Sequence, residues 1–316
     1  MRGIVSPKLD DFLAATNKAI ADAKAQGIQY TPTQVRANLD KLAALMNVKP
    51  SIDFIEDRAF TMADGRSLQA RVYSPNPTKP LPVVMHFHGG GHMCGSVALY
   101  DPVSRQLAHT AQCVVICVEY RLAPEHPYPA GIHDCQHALI HYQDVLSGIA
   151  HDGSIAIMGD SAGGAICTTL TMNRLKNPAI RIDKQILIYP SVDYTMSSAS
   201  VSSNGQGFLL EQARVRWYFQ QYFRHALANE EEVKRASPLF GAFDADMPAT
   251  LVFTAGCDPL RDEGIAYVNA MQDAGASVEH CHLDGMIHAY MLLQDLVSEE
   301  CQTTYQRIDR FLNAEG

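Results

Sequence analysis

The chain has 316 residues, 47% of them hydrophobic and 19% charged, and a formal net charge of −9. That apolar content excludes a disordered chain, and the length suffices for one large α/β domain with or without an appendage. The acidic balance, without a basic stripe, excludes a phosphate-backbone partner, so no nucleic acid is expected.

In the first twenty residues Lys8, Asp10, Asp11 and Lys18 break every apolar run, so no signal-peptide core is expected. Nowhere does the chain reach the roughly 18 apolar residues of a membrane span. Residues 7–47 carry apolar positions at helical spacing in two stretches, divided by Gly27 and by Thr31-Pro32-Thr33, where a capping threonine before proline suits a helix start. Residues 51–74 alternate and break at Asp64-Gly65, a strong hairpin signal. Beyond Pro82 the apolar runs 83–87, 113–119, 155–158, 185–189, 250–254 and 277–283 are separated by helical stretches. Such runs predict a mostly parallel sheet with helices on both faces, the α/β class. The gap from Tyr189 to Thr250 is too long for an ordinary crossover and holds a Ser-rich stretch, 197–203, then an amphipathic helix near 210–223. A segment of that length reads as a cap. Eight scattered cysteines without a C-x-x-C pair read as buried small hydrophobes in a reducing cytoplasm.

The sequence Gly159-Asp160-Ser161-Ala162-Gly163 follows the apolar run ending at Met158. A strand that breaks at glycine and restarts as a helix is the context of a G-x-S-x-G nucleophile elbow, which makes Ser161 the candidate nucleophile. A serine hydroxyl needs a base oriented by a carboxylate. Asp258 follows the run 250–254, His288 follows 277–283, and catalytic groups of open α/β sheets gather beyond the carboxyl ends of strands. The order Ser, Asp, His is that of the α/β-hydrolases. After the run 83–87 comes His88-Gly89-Gly90-Gly91-His92, whose glycines expose backbone N–H groups. Two of these, with the amide of Ala162, suit an oxyanion hole. The loop lacks the Lys-Ser/Thr tail of a phosphate loop.

Together with YRLAPEHPYPA at Tyr120 to Ala130, SPLF at Ser237 to Phe240 and DPLRDEG at Asp258 to Gly264, these motifs resemble the hormone-sensitive-lipase-like group of α/β-hydrolase esterases over nearly the whole chain. The resemblance implies an α/β-hydrolase fold and a triad of Ser161, Asp258 and His288. It makes Gly90, Gly91 and Ala162 the oxyanion donors, with His88 and Gly89 supporting the loop. Residues 1–50 and 190–240 would form the cap, and 51–189 and 241–316 the two parts of the core. It further implies serine carboxylesterase activity on short acyl esters through an acyl-enzyme, with no metal or organic cofactor, and a homodimer through roughly 277–312. An amidase or deacetylase uses the same machinery, and the fold also hosts small-molecule receptors. Two positions depart from the pattern. His92 stands where an aromatic is usual, placing a titratable group beside the oxyanion loop, and Ala289 stands where glycine is frequent.

Several residues have plainer readings. Asp262 and Glu263 fit the first turn of the following helix, where negative charge suits the dipole. His280 and His282 alternate along a strand. His133, His137 and His141 share one helix face and read as a solvated surface, with no metal expected. His86 and His88 are expected to brace the glycine loop by hydrogen bonds. Glu119 and Glu125, near Arg121, read as structural ion-pair partners. Trp217 fits either the cap interior or a pocket wall.

Overall fold

The computed structural model describes residues 1–224, 226 and 229–314. Residues 225, 227 and 228 of the expected insertion, and 315 and 316 at the end, lie outside the described residues. The two N-terminal helical stretches are α1 (Asp10–Ala25) and α2 (Pro32–Asp40). A capping box starts α2: the Thr31 hydroxyl accepts from the Gln34 N–H at 3.3 Å, and the Thr31 N–H donates to Gln34 Oε1 at 3.0 Å. β1 (Phe54–Thr61) and β2 (Ser67–Ser74) form the antiparallel hairpin, with Gly65 at φ 80° in its turn.

Strands and helices then alternate as β3 (Leu81–Phe87), α3 (Asp101–Ala111), β4 (Val114–Val118), α4 (Ala130–Ile140), β5 (His151–Asp160), α5 (Ala162–Asn173) and β6 (Lys184–Ile188). The insertion contributes α6 (Ala199–Ser203), α7 (Gln212–Phe223) and α8 (Glu230–Ala236). β7 (Ala249–Cys257), α9 (Arg261–Asp273), β8 (Val278–Ile287) and α10 (Ser298–Asn313) complete the chain. The eight strands form one sheet in the order β1-β2-β4-β3-β5-β6-β7-β8. The pairs β1/β2 and β2/β4 are antiparallel and the rest parallel, which makes this an α/β-hydrolase fold.

The near-continuous apolar strands follow from burial on both faces. On one face Val84, Val115, Met158 and Phe253 pack with Val103 and Leu107 of α3 and Tyr305 and Ile308 of α10. On the other, Met85, Ile116, Ile157 and Val252 pack with residues of α4, α5 and α9. β8 runs to Ile287, four residues past the expected end, so His288 lies directly beyond a strand. Among the described residues, no helix is long and apolar enough to cross a membrane.

Candidate active site

The turn from β5 to α5 forces Ser161 to φ 53° and ψ −118°, a conformation that costs a non-glycine residue about 1–3 kcal/mol. Its surroundings impose that geometry. A Cβ on Gly163 would overlap the carbonyl of Phe87, so only glycine lets α5 start this close to β3. The Ser161 N–H donates to the Ile188 carbonyl at 2.9 Å, and the Ser161 carbonyl accepts from the Ser191 N–H at 3.0 Å. The turn is thereby tied to the end of β6.

Asp258 is fully buried beyond β7, and its Oδ2 lies 2.7 Å from His288 Nδ1. Its Oδ1 accepts from the Leu260 N–H at 2.8 Å. An ionised carboxylate only accepts, so Nδ1 carries the proton and Nε2 presents a lone pair. That Nε2 is 2.8 Å from Ser161 Oγ. Asn204, in the insertion, donates to the carbonyls of Gly256 and Asp258 at 3.1 Å each and accepts from the Gly3 N–H at 2.9 Å. The carboxylate loop is thus held from the N-terminus and the insertion, a role sequence reading missed.

The rival groups lie elsewhere. Asp262 and Glu263 do occupy the first turn of α9. Glu263 is there less for the dipole than for a buried turn: its Oε1 accepts from the N–H groups of Val192 and Asp193 at 2.7 and 3.2 Å. Burial pushes its carboxyl well above the ordinary range. His280 and His282 share the Thr254 hydroxyl at 2.8 and 2.7 Å. His133 and His141 are exposed on α4 and at its end, and the His137 ring nitrogen Nε2 meets the Thr61 carbonyl at 3.0 Å. Among the described residues, no three His, Cys, Asp or Glu side chains converge as a metal site.

The glycine loop is braced by a residue that sequence reading passed over, the Asp160 beside Ser161. Its Oδ1 accepts from the Gly89 N–H at 2.7 Å and its Oδ2 from the Tyr100 hydroxyl at 2.9 Å. Burial raises the Asp160 carboxyl to about 6, opposed by these two donors. His88 Nδ1 donates to the Gly89 carbonyl at 2.8 Å, and its ring stacks on Tyr120 at 4.4 Å. His86 does not brace the loop: it lies 3.0 Å from the Ser104 hydroxyl of α3, because alternation along β3 turns it to that face. Gly90 and Gly91 have φ 122° and 64°. Among the described residues, the N–H groups of Gly90, Gly91 and Ala162 meet no protein acceptor, and all three residues line the same cavity as Ser161.

His92 is not the titrating group expected beside that loop. Its ring stacks on Tyr222 with centroids 3.8 Å apart and 6° between planes, and Nε2 lies 3.1 Å from the Tyr194 hydroxyl. Burial, aided by neighbouring His88, lowers its pKa to about 3. At neutral pH it is an uncharged ring in an aromatic wall, which explains how it replaces an aromatic side chain. Ala289 adopts φ 63°, the left-handed conformation that favours glycine.

Glu119 accepts from the Val97 N–H at 2.7 Å. Arg121 pairs with fully buried Asp134, and Glu125 pairs instead with Arg36 of α2. The Arg36 guanidinium also donates to the carbonyls of Met93 and Ala123, at 2.8 Å each. It therefore ties α2 to the segment after the glycine loop. A cavity of about 830 Å³ opens above Ser161 and His288, roofed by residues of α1, α2 and α7, and Trp217 lies on its wall.

A strained serine at a strand-to-helix turn, an adjacent histidine and buried carboxylate, and free backbone donors on a mostly parallel sheet define the class of α/β-hydrolases. A family model described as alpha/beta hydrolase fold matches residues 84–292. The chain is 30% identical over 272 residues to the ethyl acetate hydrolase of Pseudomonas putida, covering 84% of this chain and 85% of that protein. Carboxylesterase NlhH of Mycobacterium tuberculosis is 32% identical over 272 residues, 85% of each chain. The solved structure of a hyperthermophilic esterase from Pyrobaculum calidifontis superposes with a TM-score of 0.84 at 31% identity, covering 98% of both chains. The protein belongs to the α/β-hydrolase family, within its hormone-sensitive-lipase-like esterases.

Proposed function

We propose that the protein is a serine carboxylesterase acting on short acyl esters, with Ser161 as nucleophile, His288 as general base and acid, and Asp258 as the group that orients it. One observation carries the reading: the continuous chain Ser161 Oγ to His288 Nε2 at 2.8 Å and His288 Nδ1 to Asp258 at 2.7 Å, opening on a cavity with three free backbone donors.

His288 Nε2 takes the hydroxyl proton as Ser161 Oγ attacks the ester carbonyl carbon, and Asp258 stabilises the imidazolium. The carbonyl oxygen gains negative charge and moves toward the N–H groups of Gly90, Gly91 and Ala162. One such donor is worth about 10²- to 10³-fold in rate. Collapse of the intermediate expels the alcohol, protonated by His288, and leaves Ser161 acylated. Water, deprotonated by the same nitrogen, then releases the acid. Every step uses groups of the chain, the ester and water. Residues 1–50 and 190–240 act as the cap that shapes the cavity. The short-acyl preference is supported by the Pseudomonas relative, named for ethyl acetate.

Hydrolysis of p-nitrophenyl esters from acetate to palmitate, beside Ser161→Ala, tests the assignment. Rates peaking at short chains and lost by about 10⁴-fold or more in the variant are expected. Full activity in Ser161→Ala would overturn it, and faster cleavage of a matched anilide would replace it with an amidase.

A further inference from the structure

We infer that the cavity selects esters bearing a carboxylate remote from the scissile bond, and that Arg214 binds that carboxylate; the inference rests on the ester-hydrolase reading above. The charge of the cavity lining is opposite to that of the protein. Although the chain carries a net −9, the cavity lining among the described residues includes Lys24, Lys41 and Arg214 against a single unbraced carboxylate, that of Glu211. The other carboxylate there, Asp160, is buried and already accepts two hydrogen bonds.

Arg214 differs from the arginines that fasten the fold. Arg36, Arg58, Arg66, Arg71, Arg105, Arg121, Arg174, Arg181 and Arg261 each lie within ion-pair distance of a carboxylate. The Arg214 guanidinium has none among the described residues and makes no hydrogen bond there. It is held instead by aromatic faces, 4.4 Å from the Tyr30 ring centroid and 5.3 Å from that of Trp217. A cation–π contact occupies none of the guanidinium N–H donors, and their fork matches a carboxylate in bidentate geometry. Tyr30 precedes α2 and Trp217 lies in α7, so both halves of the roof position this one cation. A half-buried site partly walled by aromatic rings screens charge less than bulk water, which strengthens the pairing.

The test compares p-nitrophenyl monoesters of the diacids from adipate to sebacate with their terminal carboxamide isosteres. A parallel arm places the carboxylate on the alcohol. Expected is a kcat/KM for the carboxylate about tenfold above the isostere at low ionic strength in at least one arm, expressed mainly in KM. The ratio should fall toward one in high salt and in Arg214→Gln, survive in part in Arg214→Lys, and rise in Glu211→Gln. A wild-type ratio at or below one in both arms, or one that Arg214→Gln leaves unchanged, would overturn the inference. Should Arg214→Gln fail to fold, the wild-type salt dependence decides: a preference insensitive to salt also overturns it. The neutral butyrate ester separates the two levels. If it is not hydrolysed, the ester-hydrolase reading fails first; if it is hydrolysed while the ratio is one, only the carboxylate inference falls.

Discussion

The floor and the roof of the cavity are held by different kinds of contact. On the floor Ser161, Asp258 and His288 each stand at a strand end, are buried or nearly so, and are fixed by short hydrogen bonds to main chain or to one another. Over it, α1, α2 and α7 are fastened by a few polar clamps. Arg36 reaches Met93, Ala123 and Glu125; Asn17 donates to the Gly207 carbonyl at 3.1 Å; Arg2 reaches the carbonyls of Ser203 and Gln206. A floor of this type tolerates little displacement, because misplacing a reacting group by an ångström costs about 10²-fold in rate. A roof on separate clamps can change its surface, and so the substrate, without moving the chemistry.

The comparison breaks most sharply at Asp160. Asp160→Ala leaves the Gly89 N–H and Tyr100 hydroxyl without their acceptor, and kcat should fall about 10²-fold with KM little changed. Steady-state kinetics on a short ester check this; a loss below about threefold would show that the loop holds without its brace.

Acid should weaken the fold at the wall beside the floor. Burial lowers the pKa values of His86 and His92 to about 3. Their neutral forms favour the fold above the unfolded-state value near 6.5, and this contribution is lost as pH falls from there toward 3. Between pH 7 and 5 each should remove about 2 kcal/mol. Urea unfolding at both pH values should show this loss, and His92→Phe should reduce it by about half. An unchanged pH dependence in that variant would mean that His92 takes up its proton equally in the folded and the unfolded chain.

Arg36→Ala tests the roof. It removes charge-assisted bonds to two carbonyls and to Glu125, whose carboxyl Arg36 holds down at about 2. A loss of about 1–2 kcal/mol is expected. KM should rise and protease should cut more readily within residues 1–47, while kcat changes little; an equal fall in kcat would couple roof to floor. The smallest effect is expected at Ala289→Gly, which relieves the left-handed backbone beside His288 and should stabilise by up to about 1 kcal/mol in thermal unfolding, with kcat unaltered.

Sequence motifs made much of the floor legible because its chemistry lies in short local patterns. A glycine that must admit a neighbouring strand, as at Gly163, leaves a trace in the pentapeptide itself. Chain order and strand ends then place Asp258 and His288. What stayed hidden depends on pairing across distance. Asp160 sits inside the most visible motif, yet its partners Gly89 and Tyr100 are 71 and 60 residues away. Glu125 suggested an ion pair with nearby Arg121, whereas its partner Arg36 comes 89 residues earlier. For His92 the residue type suggested a charge, and only the stacked Tyr222 and the surrounding burial show an uncharged wall. The roof was legible as helices, but not as a surface with a particular cation held between Tyr30 and Trp217.

The chain has a single tryptophan, Trp217, and it stands in the roof, on the cavity wall and beside Arg214. Indole emission excited at the red edge of its absorption therefore originates from this one location. The unlabelled protein carries its own optical reporter: shifts in that emission, or in its quenching by acrylamide, follow the entry of a ligand beside Trp217 in real time.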